Sequence, residues 1–156
     1  CRWLWNQEPV AVTASEGCLR FTDFDGFTDH GEVFLEFADS STAMLRVDWL
    51  TPEAFPTHGD GRQFYEGTEG TMEVIAAPDI HALGEGVVNY WPWEGEKTQI
   101  APSPPPASLY EEFLGLCRGQ SEAELCADDA FRSTRLTLYA REAARTGGRI
   151  DLRDKL

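Results

Sequence analysis

Apolar and polar residues alternate along the first part of the chain, which is typical of strands with one buried face. The clearest case is a hairpin in which Val33, Leu35 and Phe37 alternate with their neighbours before a turn at 39–41. A second alternating run over 42–49 follows that turn. Further strands are predicted at 10–14, 63–66, 71–75, 87–91, 97–100 and 150–152, with a tight turn at 67–70.

Helical spacing replaces the alternation after a proline-rich connector at 102–106. Ser108 and Glu111 form a capping box ahead of apolar residues that recur at helical spacing over 109–117. A second helix is predicted over 128–145, with Asp at its start and Arg at its end, as the helix dipole favours. The order predicts an α+β fold: an open, mainly antiparallel β-sheet with helices packed on one face.

Composition and charge exclude several classes of protein. The 156 residues are 42% hydrophobic and 26% charged, which suits one globular domain over 1–156. No apolar run reaches the roughly 18 residues that a membrane span needs. With 13 basic and 27 acidic residues the formal charge is -14, so we expect neither nucleic acid nor a membrane as partner.

The four cysteines are Cys1, Cys18, Cys117 and Cys126, and none has zinc-finger or C-x-x-C spacing. We expect reduced thiols and a cytoplasmic location, because a chain this rich in apolar residues needs no disulfides. The chain starts without Met, inside a helix-like aromatic segment, and no signal peptide is recognisable. We therefore interpret it as a fragment whose beginning is missing.

Most motifs that carry chemistry are absent from the sequence. No G-x-G-x-x-G turn opens a helix after a strand, and there is no P-loop or G-x-S-x-G. We therefore assign no catalytic, cofactor-binding or metal-binding residue. The acidic run 23–29 does not fit an EF-hand, since its glycine comes too early. Trp91 and Trp93 are candidates for stacking on a sugar, which leaves a small sugar-binding β-domain open as an interpretation.

The long segment between the two predicted hairpins combines Trp49, His58, Asp60 and Arg62. Long loops on a rigid sheet often carry function. Arg62 can bind a carboxylate through two hydrogen bonds, and His58 can exchange a proton near neutral pH. We expect these four residues to face a substrate or a subunit partner; the alternative is an irregular crossover with a polar surface.

The sheet face opposite the helices is not simply polar. Phe34 and Met44 lie on it, and Phe64 and Met72 add to it if the register allows. Such an apolar patch exceeds what a soluble monomer normally exposes. We therefore expect a homo-oligomer that forms through this open face.

Several short strings resemble, in order, the C-terminal domain of the Gfo/Idh/MocA oxidoreductases, the family of glucose-fructose oxidoreductase and inositol dehydrogenase. Phe37, Asp39 and Ser41 match the family's Phe-x-Asp-Gly-Ser turn, with Ser40 in place of the usual Gly. The other strings are 2–4, 8–10, 48–52, 59–62, 67–74, 111–113 and 133–147. The resemblance covers nearly the whole chain.

The resemblance implies a two-domain parent enzyme. The family's N-terminal Rossmann domain binds NAD or NADP, and nothing in 1–156 matches it. This chain would be the C-terminal substrate-binding and oligomerisation domain of an NAD(P)-dependent oxidoreductase acting on a sugar, a polyol or a related hydroxyl compound. Alone it would be inactive and hold no cofactor. The alternative is a stand-alone, non-catalytic binding or dimerisation module.

Overall fold

The computed structural model describes residues 1–57, 59–76, 86–103, 107–120 and 127–156. The chain divides into a first unit, Cys1–Leu50 with Leu109–Leu156, and a second unit, Thr51–Ser108. In chain order the elements are α1 (Arg2–Trp5), β1 (Ala11–Gly17), β2 (His30–Glu36), β3 (Thr42–Asp48), β4 (Arg62–Gly67), β5 (Gly70–Ile75), β6 (Val87–Pro92), β7 (Thr98–Ile100), α2 (Leu109–Cys117), α3 (Ala127–Thr146) and β8 (Ile150–Asp151).

The first unit is built on a four-stranded antiparallel sheet in the order β3-β2-β1-β8. Leu35 of β2 lies opposite both Val12 and Ala43, so one face carries a continuous apolar row. Because side chains alternate along each strand, Phe34 and Met44 point to the other face. The predicted β2–β3 hairpin is confirmed, and Leu35 and Ala43 are buried as expected. Leu45 and Val47 lie on the same face but are 39% and 74% exposed, so the prediction of a fully buried face is wrong for the second half of β3.

Helix α3 covers the apolar face of the first sheet by packing on β1. Its contact residues Ala140 and Ala143 are buried, and their small side chains allow the helix to approach the strands closely. The core that results consists of Val12, Leu35, Phe37, Ala43, Ala140, Ala143 and Leu152. Gly147, with φ +66°, follows the last turn of α3 and ends the helix as the sequence predicts.

The second unit is a meander of four antiparallel strands in the order β4-β5-β6-β7. The β4–β5 turn requires glycine at position 70, where φ is +153°. A Cβ atom at this position would lie 2.4 Å from the Trp91 carbonyl oxygen. The close approach of β5 and β6 at this corner therefore depends on Gly70.

The α+β fold with antiparallel pairing and a helix on one face is confirmed. The strands form two four-stranded sheets rather than a single one. Alternation within a strand predicts its faces but does not identify its neighbours, so the sequence carries no sign of this division. Among the described residues, no helix has the length and apolar character that crossing a membrane requires.

Candidate functional site

The four loop residues proposed from the sequence fall in different parts of the structure. Trp49 lies in the first unit, where its backbone N–H donates to the Asp29 carbonyl at 2.8 Å and its side chain is exposed. Asp60 and Arg62 belong to the second unit. His58 lies outside the described residues. The structure therefore brings together Asp60 and Arg62, and the role of all four residues at a substrate or a subunit partner stays a prediction.

Asp60 and Arg62 form a tight local ion pair at the start of β4. The Arg62 Nε and Nη2 atoms lie 2.9 and 2.5 Å from Asp60 Oδ2, and the Arg62 backbone N–H donates to Asp60 Oδ1 at 3.2 Å. The hydrogen bond from Arg62 lowers the pKa of Asp60 and raises that of Arg62. The two-pronged carboxylate contact expected of Arg62 is therefore made to a carboxylate of its own loop.

The register of the second sheet lines up several polar side chains on the face that also carries Arg62. Phe64, Glu73, Asn89 and Gln99 lie opposite one another across the four strands, and alternation puts Trp91 on the same side. We call these six residues the polar face. They come from all four strands, so only the folded sheet assembles them.

Glu73 and Asn89 form the centre of the polar face. Asn89 is 8% exposed, and its Nδ2 donates to Glu73 Oε2 at 3.0 Å. A buried amide is tolerated in a sheet when it is hydrogen-bonded in this way. The hydrogen bond with Asp60 is the main cause of the raised pKa of Arg62, and the charge of Glu73 adds to it.

The polar face combines a carboxylate that accepts hydrogen bonds, amides that donate and accept them, and a guanidinium that donates them. Phe64 and Trp91 add aromatic surface to the same face. Sequence reasoning missed Glu73 and Asn89 because strand alternation explains both positions. The available signal was Asn89 itself, a polar residue in an otherwise apolar strand over 87–91.

A polar cleft of about 280 Å³ in the first unit is lined by charged residues of α1, α3 and the segment between α1 and β1. Arg2 Nε lies 2.6 Å from Glu8 Oε2, and Arg132 Nη1 lies 3.3 Å from Glu8 Oε1. The hydrogen bond from Arg2 lowers the pKa of Glu8. Asp129 and Asp128 also pair with Arg2 and Arg132, at 3.5 and 2.6 Å, so the ion pairs of this cleft join α1 to α3.

Asp29 is a buried carboxylate, 1% exposed, at the base of the loop between β1 and β2. It accepts hydrogen bonds from the backbone N–H groups of Leu19, Arg20 and Phe21 at 2.7–3.1 Å and contacts His30 Nδ1 at 2.9 Å. Burial acts to raise the pKa of Asp29, but these hydrogen bonds outweigh it and lower that pKa well below its usual range. Asp29 thus fixes the loop in place.

The thiols and the acidic residues suggest no further site. Cys1, Cys18 and Cys117 are free, whereas Cys126 lies outside the described residues. Burial and the neighbouring Asp29 carboxylate raise the pKa of Cys18, which disfavours the reactive thiolate. Within the described stretches, no three His, Cys, Asp or Glu side chains are grouped to hold a metal.

The interface residues proposed from the sequence divide between the two sheets. Phe34 and Met44 are direct cross-strand neighbours on the open face of the first sheet, 42% and 80% exposed. Phe64 and Met72 belong to the second sheet and lie on its opposite faces, because Met72 pairs with Tyr65, the residue after Phe64. The expectation that all four share one open face is therefore corrected to Phe34 and Met44.

No protein-family model matches the sequence, and no curated protein matches it significantly. Solved structures do match. A candidate oxidoreductase from Thermotoga maritima has a TM-score of 0.81 and 25% identity, over 96% of this chain and 42% of that chain. The aldose-aldose oxidoreductase of Caulobacter crescentus, solved with glycerol, has a TM-score of 0.74 and 23% identity, over 97% of this chain and 43% of its own.

An oxidoreductase from Agrobacterium radiobacter, in complex with NAD+, L-tartaric acid and magnesium, has a TM-score of 0.72 and 16% identity. The match covers 99% of this chain and 46% of that one. The fold is therefore that of the C-terminal domain of oxidoreductases. This chain spans less than half the length of the solved structures that it matches.

Proposed function

We propose that this chain is the C-terminal substrate-binding and oligomerisation domain of an NAD(P)-dependent oxidoreductase of the Gfo/Idh/MocA type. The parent enzyme oxidises or reduces a sugar, a polyol or a related hydroxyl compound. The observation that carries the proposal is the match of 96% of the chain to 42% of one oxidoreductase at a TM-score of 0.81. The short strings that resemble the family, at 37–43, 59–62 and 67–74, support the same assignment.

The polar face favours a substrate with several hydroxyl groups. Glu73 can accept hydrogen bonds from two hydroxyls, and Gln99 can both donate and accept. Arg62 keeps donor capacity beyond its contact with Asp60, because a guanidinium has five N–H bonds. Aromatic side chains at the margin can pack against the C–H groups of a sugar ring. In this role the chain binds and orients the substrate.

A dinucleotide does not fit the residues of this chain. Binding a pyrophosphate requires a glycine-rich turn that leads into a helix N-terminus, and the sequence has none. The proposal therefore places NAD or NADP in another part of the parent. Two of the matched structures contain NAD+ or NADH, which supports a nicotinamide cofactor for the parent.

The proposal is tested by assaying the parent enzyme, encoded by the gene with its upstream region, for reduction of NAD and NADP by a panel of sugars and polyols. We expect turnover with at least one hydroxyl compound. In that parent Glu73→Gln should lower kcat/KM about tenfold, mostly through KM, since it removes a charged hydrogen-bond acceptor. Glu53→Gln, an exposed loop residue, is the control. A parent that is inactive with every compound, or unaffected by Glu73→Gln, contradicts the proposal.

The oligomerisation role rests on the open face of the first sheet, and we propose a second copy of the chain as its partner. Phe34 and Met44 form an exposed apolar centre, and the Arg46–Glu32 ion pair at 2.9 Å lies beside it. A two-fold contact would bring this centre against its own copy and bury it. The charge of -14 opposes such pairing, but salt screens it beyond about 8–10 Å.

A further inference from the structure

Trp93 is an exposed indole that the second unit holds in a fixed orientation. It is 76% exposed, although its Nε1–H donates to the Gly67 carbonyl at 3.3 Å and its backbone N–H donates to the Glu69 carbonyl at 3.1 Å. Tyr90 donates its hydroxyl to the same Glu69 carbonyl at 3.1 Å. An aromatic ring fixed before binding loses little conformational entropy when a partner docks on it.

Four glutamates lie within three residues of Trp93 or of the two carbonyls that its N–H groups bind. Glu66 and Glu69 belong to the β4–β5 hairpin, and Glu94 and Glu96 follow β6. All four are exposed, and none forms an ion pair with another described residue. We call Trp93 and these four glutamates the acidic corner. Its potential attracts cations, and it repels phosphates and carboxylates.

The chain already places one cation on a neighbouring indole. Lys97 Nζ lies 5.0 Å from the centre of the Trp91 ring, which is within the range of a cation–π contact. The ammonium group therefore occupies one face of Trp91. Among the described residues no Lys or Arg side chain lies on the adjacent Trp93 ring, which is therefore open to a second cation.

We propose that the acidic corner is a docking site for a basic segment of a partner protein, with a Lys or Arg side chain lying on the Trp93 ring. The π face of the Trp93 ring attracts this cation, and the four glutamates neutralise the basic side chains that flank it in the bound segment. A guanidinium suits the site best, because it is planar, stacks on aromatic rings and is weakly hydrated. This inference is independent of the oxidoreductase assignment.

The test is a titration of this chain with a capped tetra-arginine peptide, followed through the five Trp indole resonances in 15N NMR spectra. We expect binding that shifts the Trp93 indole most and weakens as salt is added. Trp93→Leu should lower the affinity for the peptide roughly 3- to 10-fold, which is the range of a cation–π contact at a partly exposed site. Glu94→Gln combined with Glu96→Gln should also weaken it and reduce its salt dependence.

Trp3→Leu is the matched control, because Trp3 is an exposed Trp of the first unit. It should leave the affinity unchanged. The same peptide made with neutral citrulline should not bind. If the tetra-arginine peptide bound the Trp93→Leu chain and the unmodified chain equally well, the binding would be only a general attraction to an acidic surface. That result would overturn the proposal. So would Trp93-dependent binding of a neutral tetrasaccharide that is tighter than that of the peptide.

Discussion

Asp29→Asn should lower the melting temperature of the chain by roughly 5 °C or more at neutral pH. The Asp29 carboxylate accepts hydrogen bonds from three backbone N–H groups and contacts Nδ1 of the His30 ring. Asparagine has nearly the same shape, but its NH2 group donates where these partners also donate. Differential scanning calorimetry measures the effect, and Asp25→Asn, an exposed carboxylate of the same loop, is the control.

The difference between Asp29→Asn and the unmodified chain should also depend on pH in a defined direction. Because the folded protein lowers the pKa of Asp29, the stability that this carboxylate contributes is fully present above its unfolded value of about 3.9. That contribution is lost as the pH falls toward the folded pKa. The difference in melting temperature should therefore shrink as the pH falls below about 4. A difference that stays the same between about pH 5 and about pH 2 contradicts this assignment.

We expect the chain to self-associate through the open face of the first sheet, and Phe34→Glu to convert it to a monomer without unfolding it. The new carboxylate would be desolvated against its own copy at the centre of the proposed two-fold contact, and a like charge would face it. The side chain is 42% exposed in one chain, so the fold itself tolerates the change. Light scattering at tens of micromolar should report twice the 17.4 kDa chain mass before the substitution and the single mass after it.

Val47→Glu is the control for this experiment. Val47 is exposed on β3 like Met44, but it points to the opposite face of the same sheet. It should leave the association unchanged. A stable contact needs about 1,000 Å² or more of buried surface. The proposal that the open face is the interface is contradicted if the unmodified chain is already monomeric in moderate salt. It is also contradicted if the Phe34→Glu chain still associates.

Local features of the fold were predictable from the sequence because short-range chemistry determines them. Alternation gave the faces of β2 and β3, so the exposure of Phe34 and the burial of Leu35 were both expected. Asp128 and Asp129 near its start and Gly147 after its end predicted the limits of α3 to within one residue. In each case the information lies within a few residues of the feature it describes.

Features that depend on register or on distant neighbours were not predictable. Asp23, Asp25 and Asp29 are equivalent in an acidic run, yet only Asp29 turns inward to bind the backbone of the same loop. Glu73 and Asn89 meet only because β5 and β6 pair in one particular register. The sequence likewise gave no sign that Arg62 would pair with Asp60, since both residues also suited a site for an external ligand.

The most direct test of the central claim is a calorimetric titration of NAD and NADP into the parent protein and into this chain. The account predicts saturable binding to the parent and none to the chain, because the sequence of 1–156 has no glycine-rich turn to hold a pyrophosphate. Tight binding of either dinucleotide to this chain alone would contradict the division of roles. A parent that binds neither dinucleotide would contradict the assignment to an NAD(P)-dependent oxidoreductase.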